Sequence, residues 1–504
     1  MTETIFLVLL SLLGSQDALN LSLQDAKRMA LENNRDIQIE KKNVEISAGE
    51  ITTQKGAFDP VLNLNSSYTD AKIPTTSTFI ESGVINENEF IAESGIIGTL
   101  PTGTFYNILN FSLSRTKTDS PIEDLSPSWF TSLSFSIGQE LLRNFGLDVN
   151  LAPLTIARRS NEISVKQLEV TVSDTLLRVE EAYWLVVAAR QDLENQRTAL
   201  ELAKDLLRRN EIQVEVGVLP PVAVTEAKSE VANREVDVIS AENTLRAVED
   251  RLKNILVIPL TQQISLTDEP TDVVRTFSES EVLEEALEQR PEIKQAKLDI
   301  ENRETEKRFF SNQRLPSLSV QGTINLQGLG GDENPNRLSF EEEPEPIPPQ
   351  FDQPGDAFRN LFDGEFPTWQ ILGVFSLPIF NWTAKGNYVK ASANLDKSVI
   401  SYKKITDDVT LDVRNAVREI ENSLRSIEAA RTTVELRNEV VRNEEERLNV
   451  GIGTTRDVIE AQRDLVNART ELIRAIASYN IALARLERAR GTIMEASGVE
   501  IKEW

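Results

Sequence analysis

Asp457 and Glu460 are the side chains in this sequence best placed to do chemistry. They stand three apart at the start of a helix-like pattern, so both carboxylates can share one face. An acid at that point also has a plain structural use, since Asp457 would favourably cap a helix N-terminus. Little else competes. The chain has no His and no Cys, which removes imidazole bases, thiol nucleophiles, disulfides and the usual zinc, copper or haem ligand sets. It also removes the cysteine on which a lipoprotein anchor is built. Carboxylate or Ser-Lys catalysis stays open on composition, but no acid–base or nucleophile constellation stands out. No enzymatic activity, metal or cofactor is expected.

The carboxylate pair sits in a segment that occurs twice. Glu215-Val216-Gly217-Val218-Leu219-Pro220-Pro221-Val222-Ala223-Val224-Thr225-Glu226-Ala227 returns as Asn449-Val450-Gly451-Ile452-Gly453-Thr454-Thr455-Arg456-Asp457-Val458-Ile459-Glu460-Ala461. Ala30-Leu31-Glu32 likewise returns as Ala286-Leu287-Glu288, Ile37 as Ile293, Pro60 as Pro316 and Leu62 as Leu318. A unit of roughly 250 residues is far longer than a solenoid repeat of about 20–50. The pattern is that of an internally duplicated domain with pseudo-twofold architecture.

The elements that must position these turns are helices of unusual length. No Gly or Pro interrupts the stretch from about Pro153 to Val216, and Val165, Leu168, Val172, Val179, Val186, Leu193 and Leu200 form a narrow stripe. That is about 64 residues, or about 96 Å at 1.5 Å per residue. Its counterpart begins near Ala384 and ends at Val450. Such lengths are coiled-coil material. Past the second turn, Val458, Leu465, Leu472, Tyr479 and Leu486 recur every heptad beside Ala461, Ala468, Ala475, Ala482 and Ala489. A large residue paired with Ala at the seam draws helix axes close together. The first copy offers Val224, Val231, Val238, Leu245 and Leu252 at the large positions. Residues 22–55 and 278–312 read as shorter helices, which with 222–256 and 455–490 match the long ones in summed length.

Between helices the period switches to two. Leu62, Leu64 and Tyr68 alternate with Asn63, Asn65 and Ser67, and Leu318, Val320, Ile324 and Leu326 with Ser319, Gln321, Thr323 and Asn325. Phe105 to Ser114, Trp129 to Ile137 and Trp369 to Leu377 add further runs. An apolar side opposite Ser, Asn, Gln and Thr suits a strand between lipid and water, and equally a soluble sandwich. The polar stretch 71–98 and the acidic, Pro-rich stretch 329–366, with Glu341-Glu342-Glu343-Pro344-Glu345-Pro346 at its heart, read as long loops.

Asp plus Glu is 80 against 54 Lys plus Arg, a net charge of −26. Such a surface repels nucleic acid. Ile5 to Leu13 is an apolar run too short to span a bilayer and placed where an export signal belongs, with cleavage near Ser15 or Ala18. The organisation expected is a signal at 1–18, a first repeat at 19–256, a linker or equatorial region at 257–277, a second repeat at 278–490 and a tail at 491–504. With no apolar run of about 18 residues elsewhere, a membrane crossing requires a barrel. Four or five strands per chain cannot close one with a filled interior, which needs about eight. Four from each of three copies would make twelve, and would remove the sheet edges.

At this point the chain resembles the outer-membrane channel proteins of the TolC family, exit ducts of drug efflux pumps and type I secretion systems. The resemblance covers essentially all of the mature chain. Its best motif is Val450-Gly451 followed by Asp457-Val458-Ile459-Glu460-Ala461, similar to the helix-turn-helix at the family's periplasmic tip; Val216-Gly217 through Glu226-Ala227 matches more loosely. Gln139-Glu140-Leu141-Leu142 and Leu377-Pro378-Ile379-Phe380 sit where the family turns from strand into long helix. The resemblance implies a mixed α and β membrane protein: a homotrimeric twelve-stranded β-barrel, four strands per protomer, continued by a long α-helical coiled-coil tunnel in the periplasm. It implies a passive outer-membrane conduit for small molecules or proteins, with a periplasmic adaptor protein and an inner-membrane pump of RND, ABC or MFS type as partners. Asp457 and Glu460 fall where the family narrows its tunnel with acidic side chains, so three copies would set six carboxylates around one axis, favouring cations. Val216, Gly217, Leu219, Val450, Gly451 and Ile452 would form the tip turns that dock the adaptor. Some relatives lock the tip with an Arg–Asp pair; this chain has Gly453 and Ala223 at those places. The rival reading is an envelope coiled-coil scaffold whose strands form a small packed sheet.

Overall fold

Alternating apolar and polar residues build one antiparallel sheet in the computed structural model, which describes residues 18–338 and 345–499. Its strands are β2 (Val61–Pro74), β3 (Val84–Thr99), β4 (Thr104–Thr118), β5 (Leu125–Glu140), β7 (Ser317–Glu333) and β8 (Phe366–Ser376), paired in that order. A separate parallel pair joins β1 (Leu19–Leu21) to β6 (Ile264–Leu266). The expected export signal lies, apart from Ala18, outside the described residues, as do 341–344 of the acidic run and 500–504 of the tail.

Register sorts the sheet's side chains by face, because successive residues of a strand point to opposite sides. Leu62 and Leu64 of β2, Leu133, Phe135 and Ile137 of β5, Ile324 and Leu326 of β7, and Trp369 and Ile371 of β8 share one face. Asn63 and Asn65, Ser132, Ser134 and Ser136, Thr323 and Asn325, and Thr368 and Gln370 share the other. One side is apolar and the other polar.

Six strands in one sheet correct the expectation of four per chain. The run at 105–114 belongs to the sheet as part of β4, and the polar stretch 71–98 is no loop: β2 extends into it and β3 occupies its second half. Composition hid β3 because Asn86, Glu87, Asn88, Glu89 and Glu93 place polar groups on both of its faces. The turn that joins β3 to β4 comes back level with the strand ends. Glu140 N donates to Gly103 O (3.2 Å) and Gly146 N to Thr102 O (3.1 Å). Gly103 adopts φ 85°, and a Cβ there would sit 2.2 Å from Asn144 O, so this turn requires glycine. The described residues of the stretch 329–366 also carry regular structure. β7 continues to Glu333 and a short helix, α8 (Asp356–Asp363), precedes β8.

The helices are α1 (Leu23–Asn33), α2 (Arg35–Lys55), α3 (Leu147–Asn150), α4 (Ala152–Glu215), α5 (Val222–Leu256), α6 (Glu279–Gln289), α7 (Pro291–Asn312), α9 (Trp382–Asn449), α10 (Thr455–Arg490) and α11 (Ile493–Ala496). Among the described residues no helix is long and apolar enough to cross a membrane. The helix expected over 22–55 breaks at Asn34, whose backbone turns extended (ψ 130°) and whose Oδ1 accepts from Asp36 N at 2.9 Å, capping α2. The one expected over 278–312 breaks at Arg290, because Pro291 opens α7 and proline suits a first turn but not a helix interior.

The chain divides into two compact units. Ser47–Asn161 and Asp299–Ser398 hold the six-stranded sheet. Met1–Ile46, Glu162–Leu298 and Val399–Trp504, as far as they are described, form a helical unit. There Val409, Val413 and Ile420 of α9 pack with Ala475, Tyr479, Ala482 and Leu486 of α10 and with Val282 and Ala286 of α6. A second core joins Leu21, Ala26 and Ala30 to Val179, Tyr183 and Val186 of α4 and Leu252 and Leu256 of α5. All five alanines of the α10 seam are buried, with Val458, Leu465, Tyr479 and Leu486 beside them. The first-copy seam differs: Leu252 is buried, whereas Val224, Val231, Val238 and Leu245 are half-buried. Tyr183 Oη donates to Asp268 Oδ2 at 2.7 Å, tying the stretch before α6 to α4. Burial, with the Asp268 contact, pushes this phenol up to about 12.

Candidate functional site

The two tips are built from the same local rule. A helix ends where a residue must turn left-handed, and glycine does so without steric cost. Gly217 closes α4 and Gly451 closes α9, each at φ 78°. Val218 N donates to Gln213 O (2.8 Å) and Ile452 N to Arg447 O (3.0 Å), the six-to-one bond of a Schellman cap.

The caps throw apolar side chains outward. Val216 and Val450 are exposed, and so are Val218 and Ile452. Leu219, expected in this surface, is half-buried. Val218 takes its place as the equivalent of Ile452, each being the residue after the turn glycine; aligning the two copies on those glycines would have found it.

Asp457 completes a capping box at the start of α10. Thr454 N donates to Asp457 Oδ2 at 3.0 Å and Thr454 Oγ1 at 2.7 Å, while Asp457 N donates back to Thr454 Oγ1 at 3.3 Å. These bonds from Thr454, with Arg447 and Arg456 nearby, hold its carboxyl below the usual range. Glu460 lies one turn on and is exposed. Both carboxylates are open to solvent at the tip of the helical unit.

A clasp that sequence reasoning missed joins the two tips. Asn210 of α4 and Thr455 of α10 are both buried, and Asn210 Nδ2 donates to Thr455 Oγ1 (3.1 Å) and to Ala223 O (3.3 Å). Leu206, Leu448 and Val458 pack together beside it. A Cβ on Gly453 would already meet Leu448 N at 3.0 Å. The link between α4 and α10 here is thus an uncharged amide–hydroxyl bond. Further up, Asn195 Nδ2 donates to Val466 O and Thr470 Oγ1 (3.1 Å each), and Thr470 Oγ1 to Asp192 Oδ1 (2.6 Å). These bonds also run between α4 and α10.

A charged knot lies deeper in the helical unit. Glu292 accepts from Arg290 (3.0 Å) and Arg488 (2.6 Å), and Arg488 also reaches Asp174 at 2.6 Å. Desolvation alone would raise the Glu292 pKa, but the Arg290 hydrogen bond and the two guanidinium charges outweigh it and bring it to about 2. The network joins α4, α7 and α10, a structural role.

Two comparisons bear on this geometry. The sequence model of the outer membrane efflux protein family matches residues 104–256 and 282–492. No curated protein matches the chain in sequence. Among solved structures, the fold is similar to the Campylobacter jejuni CmeC outer membrane channel, with TM-score 0.67 and 18% identity over 94% of this chain and 86% of that one. It is similar to VceC of Vibrio cholerae, with TM-score 0.65 and 15% identity over 93% and 96%. The open state of the Neisseria gonorrhoeae MtrE channel gives TM-score 0.61 and 16% identity over 94% and 89%.

Proposed function

The chain belongs to the outer membrane efflux protein family, and from that premise we propose that it is the outer-membrane duct of an efflux pump or type I secretion system, a passive conduit without chemistry of its own. The observation that carries this reading is the sheet. One face is apolar and the other polar, and β2 and β8 at its two edges are exposed along nearly their whole length. A long unpaired edge is a template for another strand, and in a bilayer every backbone group needs a partner. Further copies of this chain, joined edge to edge, would supply those partners and enclose a water-filled lumen. Three copies, the number the resemblance implies, bring eighteen strands rather than twelve, for a barrel about one and a half times as wide.

At the tips, Asp457 and Glu460 would ring the exit of the helical tunnel and favour cations. Val216, Val218, Val450 and Ile452, set by Gly217 and Gly451, would meet the adaptor protein, with Leu219 contributing from a half-buried position. An inner-membrane pump of RND, ABC or MFS type would supply the energy.

Single-channel conductance of the purified protein in a planar bilayer tests this reading. Discrete, cation-selective steps are expected, with selectivity weakened by Asp457→Ala/Glu460→Ala. Steps unchanged by the double substitution would discard the gate and keep the duct. A protein that enters neither micelles nor bilayers would be a scaffold.

A further inference from the structure

We infer that α8 lies on the membrane-facing side of the sheet and, with Tyr68, Phe90 and Trp129, forms a contact surface for the headgroup layer of the lipid bilayer. The inference rests on the duct reading above and concerns the segment between β7 and β8, which the sequence presents as a solvated acidic loop.

Register sets the position of α8. Tyr68 pairs with Phe90, Phe90 with Arg115, Arg115 with Trp129, and Trp129 with Gly330, so these five residues form one row across five strands on one face. The row is aromatic apart from Arg115, whose guanidinium lies 5.5 Å from the centre of the Trp129 ring, and Gly330. Two residues further out on the same face the row reads Asp70, Asn88 and Lys117. In the other direction come Leu133, Phe135 and Ile137. The aromatic row is therefore a boundary between an apolar band and a polar one. From Trp129 to Ile137 the strand runs roughly 27 Å, or roughly 20 Å of height at a tilt of about 40°, close to the apolar band of an outer-membrane barrel, about 25 Å tall. Tyr and Trp concentrate at such a boundary because their rings are apolar and their polar ends need water or headgroups.

Helix α8 fills the gap that glycine leaves in this row. Thr131 points to the same side as Trp129 and Leu133, and its Oγ1 donates to Ala357 O at 2.7 Å. A Cβ on Gly328 would stand 1.9 Å from Ala357 O, and one on Gly330 would stand 2.4 Å from Gln353 O. The two glycines form a cradle for the helix on the apolar face. Asn360 Nδ2 secures it by donating to Leu329 O (3.1 Å) and Gln350 O (2.8 Å). Ala357 and Leu361 are buried against the sheet, while Phe362 is 75% exposed and Phe358 37%. Phe358 and Phe362 are four apart and share a flank of the helix. The chain enters the helix beside Gly330 of the aromatic row, at Gln353, and Ala357 and Leu361 of the helix lie beside Gly328, two residues towards the apolar band. A plug inside the lumen would pack on the polar face; α8 packs on the opposite one.

The absence of cysteine permits a direct test with single labelled sites. Phe362→Cys and Phe358→Cys, each carrying an environment-sensitive fluorophore, are placed in phosphatidylcholine nanodiscs beside Leu133→Cys and Ser132→Cys. A headgroup-attached nitroxide should quench both α8 sites strongly, and aqueous iodide should quench them weakly. Leu133 should be quenched by a nitroxide deep in the acyl chain, and Ser132 by iodide. Iodide quenching at both α8 sites, matching Ser132, would overturn the inference while Leu133 still upheld the duct. Protection of both sites from both quenchers would mean a contact between copies, and would overturn it as well. Failure of Leu133 to respond to the deep nitroxide would instead remove the duct reading itself.

Discussion

Asp457 caps its helix and, in the proposed duct, would also line the tip, and the two roles can be separated. Its Oδ2 already accepts from both Thr454 N and Thr454 Oγ1, so its charge is partly engaged in ending the turn, whereas Glu460 is exposed one turn on. Glu460→Gln should therefore reduce cation selectivity more than Asp457→Asn, which keeps an accepting oxygen for the cap. Reversal potentials in asymmetric salt measure the difference; equal losses would mean that the cap does not divide the two roles. Glu292 makes a separate prediction. Its pKa falls from 4.5 to about 2 on folding, so its contribution is present above the unfolded value and is lost as pH drops from 4.5 towards 2. The loss is at most about 3 kcal/mol. The midpoint of thermal unfolding should fall as pH drops across that window, and Glu292→Gln should flatten the dependence.

At the scale of elements, α4 and α10 meet at the tips through Asn210 and Thr455. Asn210→Ala removes both bonds of the clasp and should cost about 1–2 kcal/mol of local stability. Faster amide exchange beside Thr455 and more frequent channel openings would show it; unchanged exchange would mean that the packing of Leu206, Leu448 and Val458 suffices. The long helices and the α10 seam were legible because heptads and freedom from Gly and Pro are properties of the chain alone. The breaks at Asn34 and Arg290 were less so, since one residue decides each. Strand β3 was missed because hydropathy alternation requires one apolar face, and the first half of β3 carries Asn86 and Asn88 on one face and Glu87 and Glu89 on the other. The cradle of Gly328 and Gly330 left a faint mark, two glycines on one side of a strand, but what fills it comes from far along the chain. Asn210 gave no signal: a buried amide in a long helix looks like any surface Asn until its partner is known.

For the whole molecule, six strands per chain would give the proposed duct a wider wall. Averaged images of the detergent-purified assembly should show eighteen strands for three copies, and twelve would place the β3–β4 hairpin outside the barrel. The turn joining β3 to β4 argues for the larger number, since it is bonded to residues at the end of β5. Glu87, Glu89 and Glu93 fall on the polar face of β3, so the added hairpin would also bring acidic groups to the lumen.

Six is an even number, and that has a consequence for how copies are counted. The first and last strands of an all-antiparallel sheet with even membership run in opposite directions, so the seam between neighbours repeats the alternation within each. Any number of copies could join in this way without a mismatched seam. Parity alone thus leaves ring size open, and in the proposed duct the count would have to come from strand tilt and stagger or from contacts between the helical units of neighbouring copies.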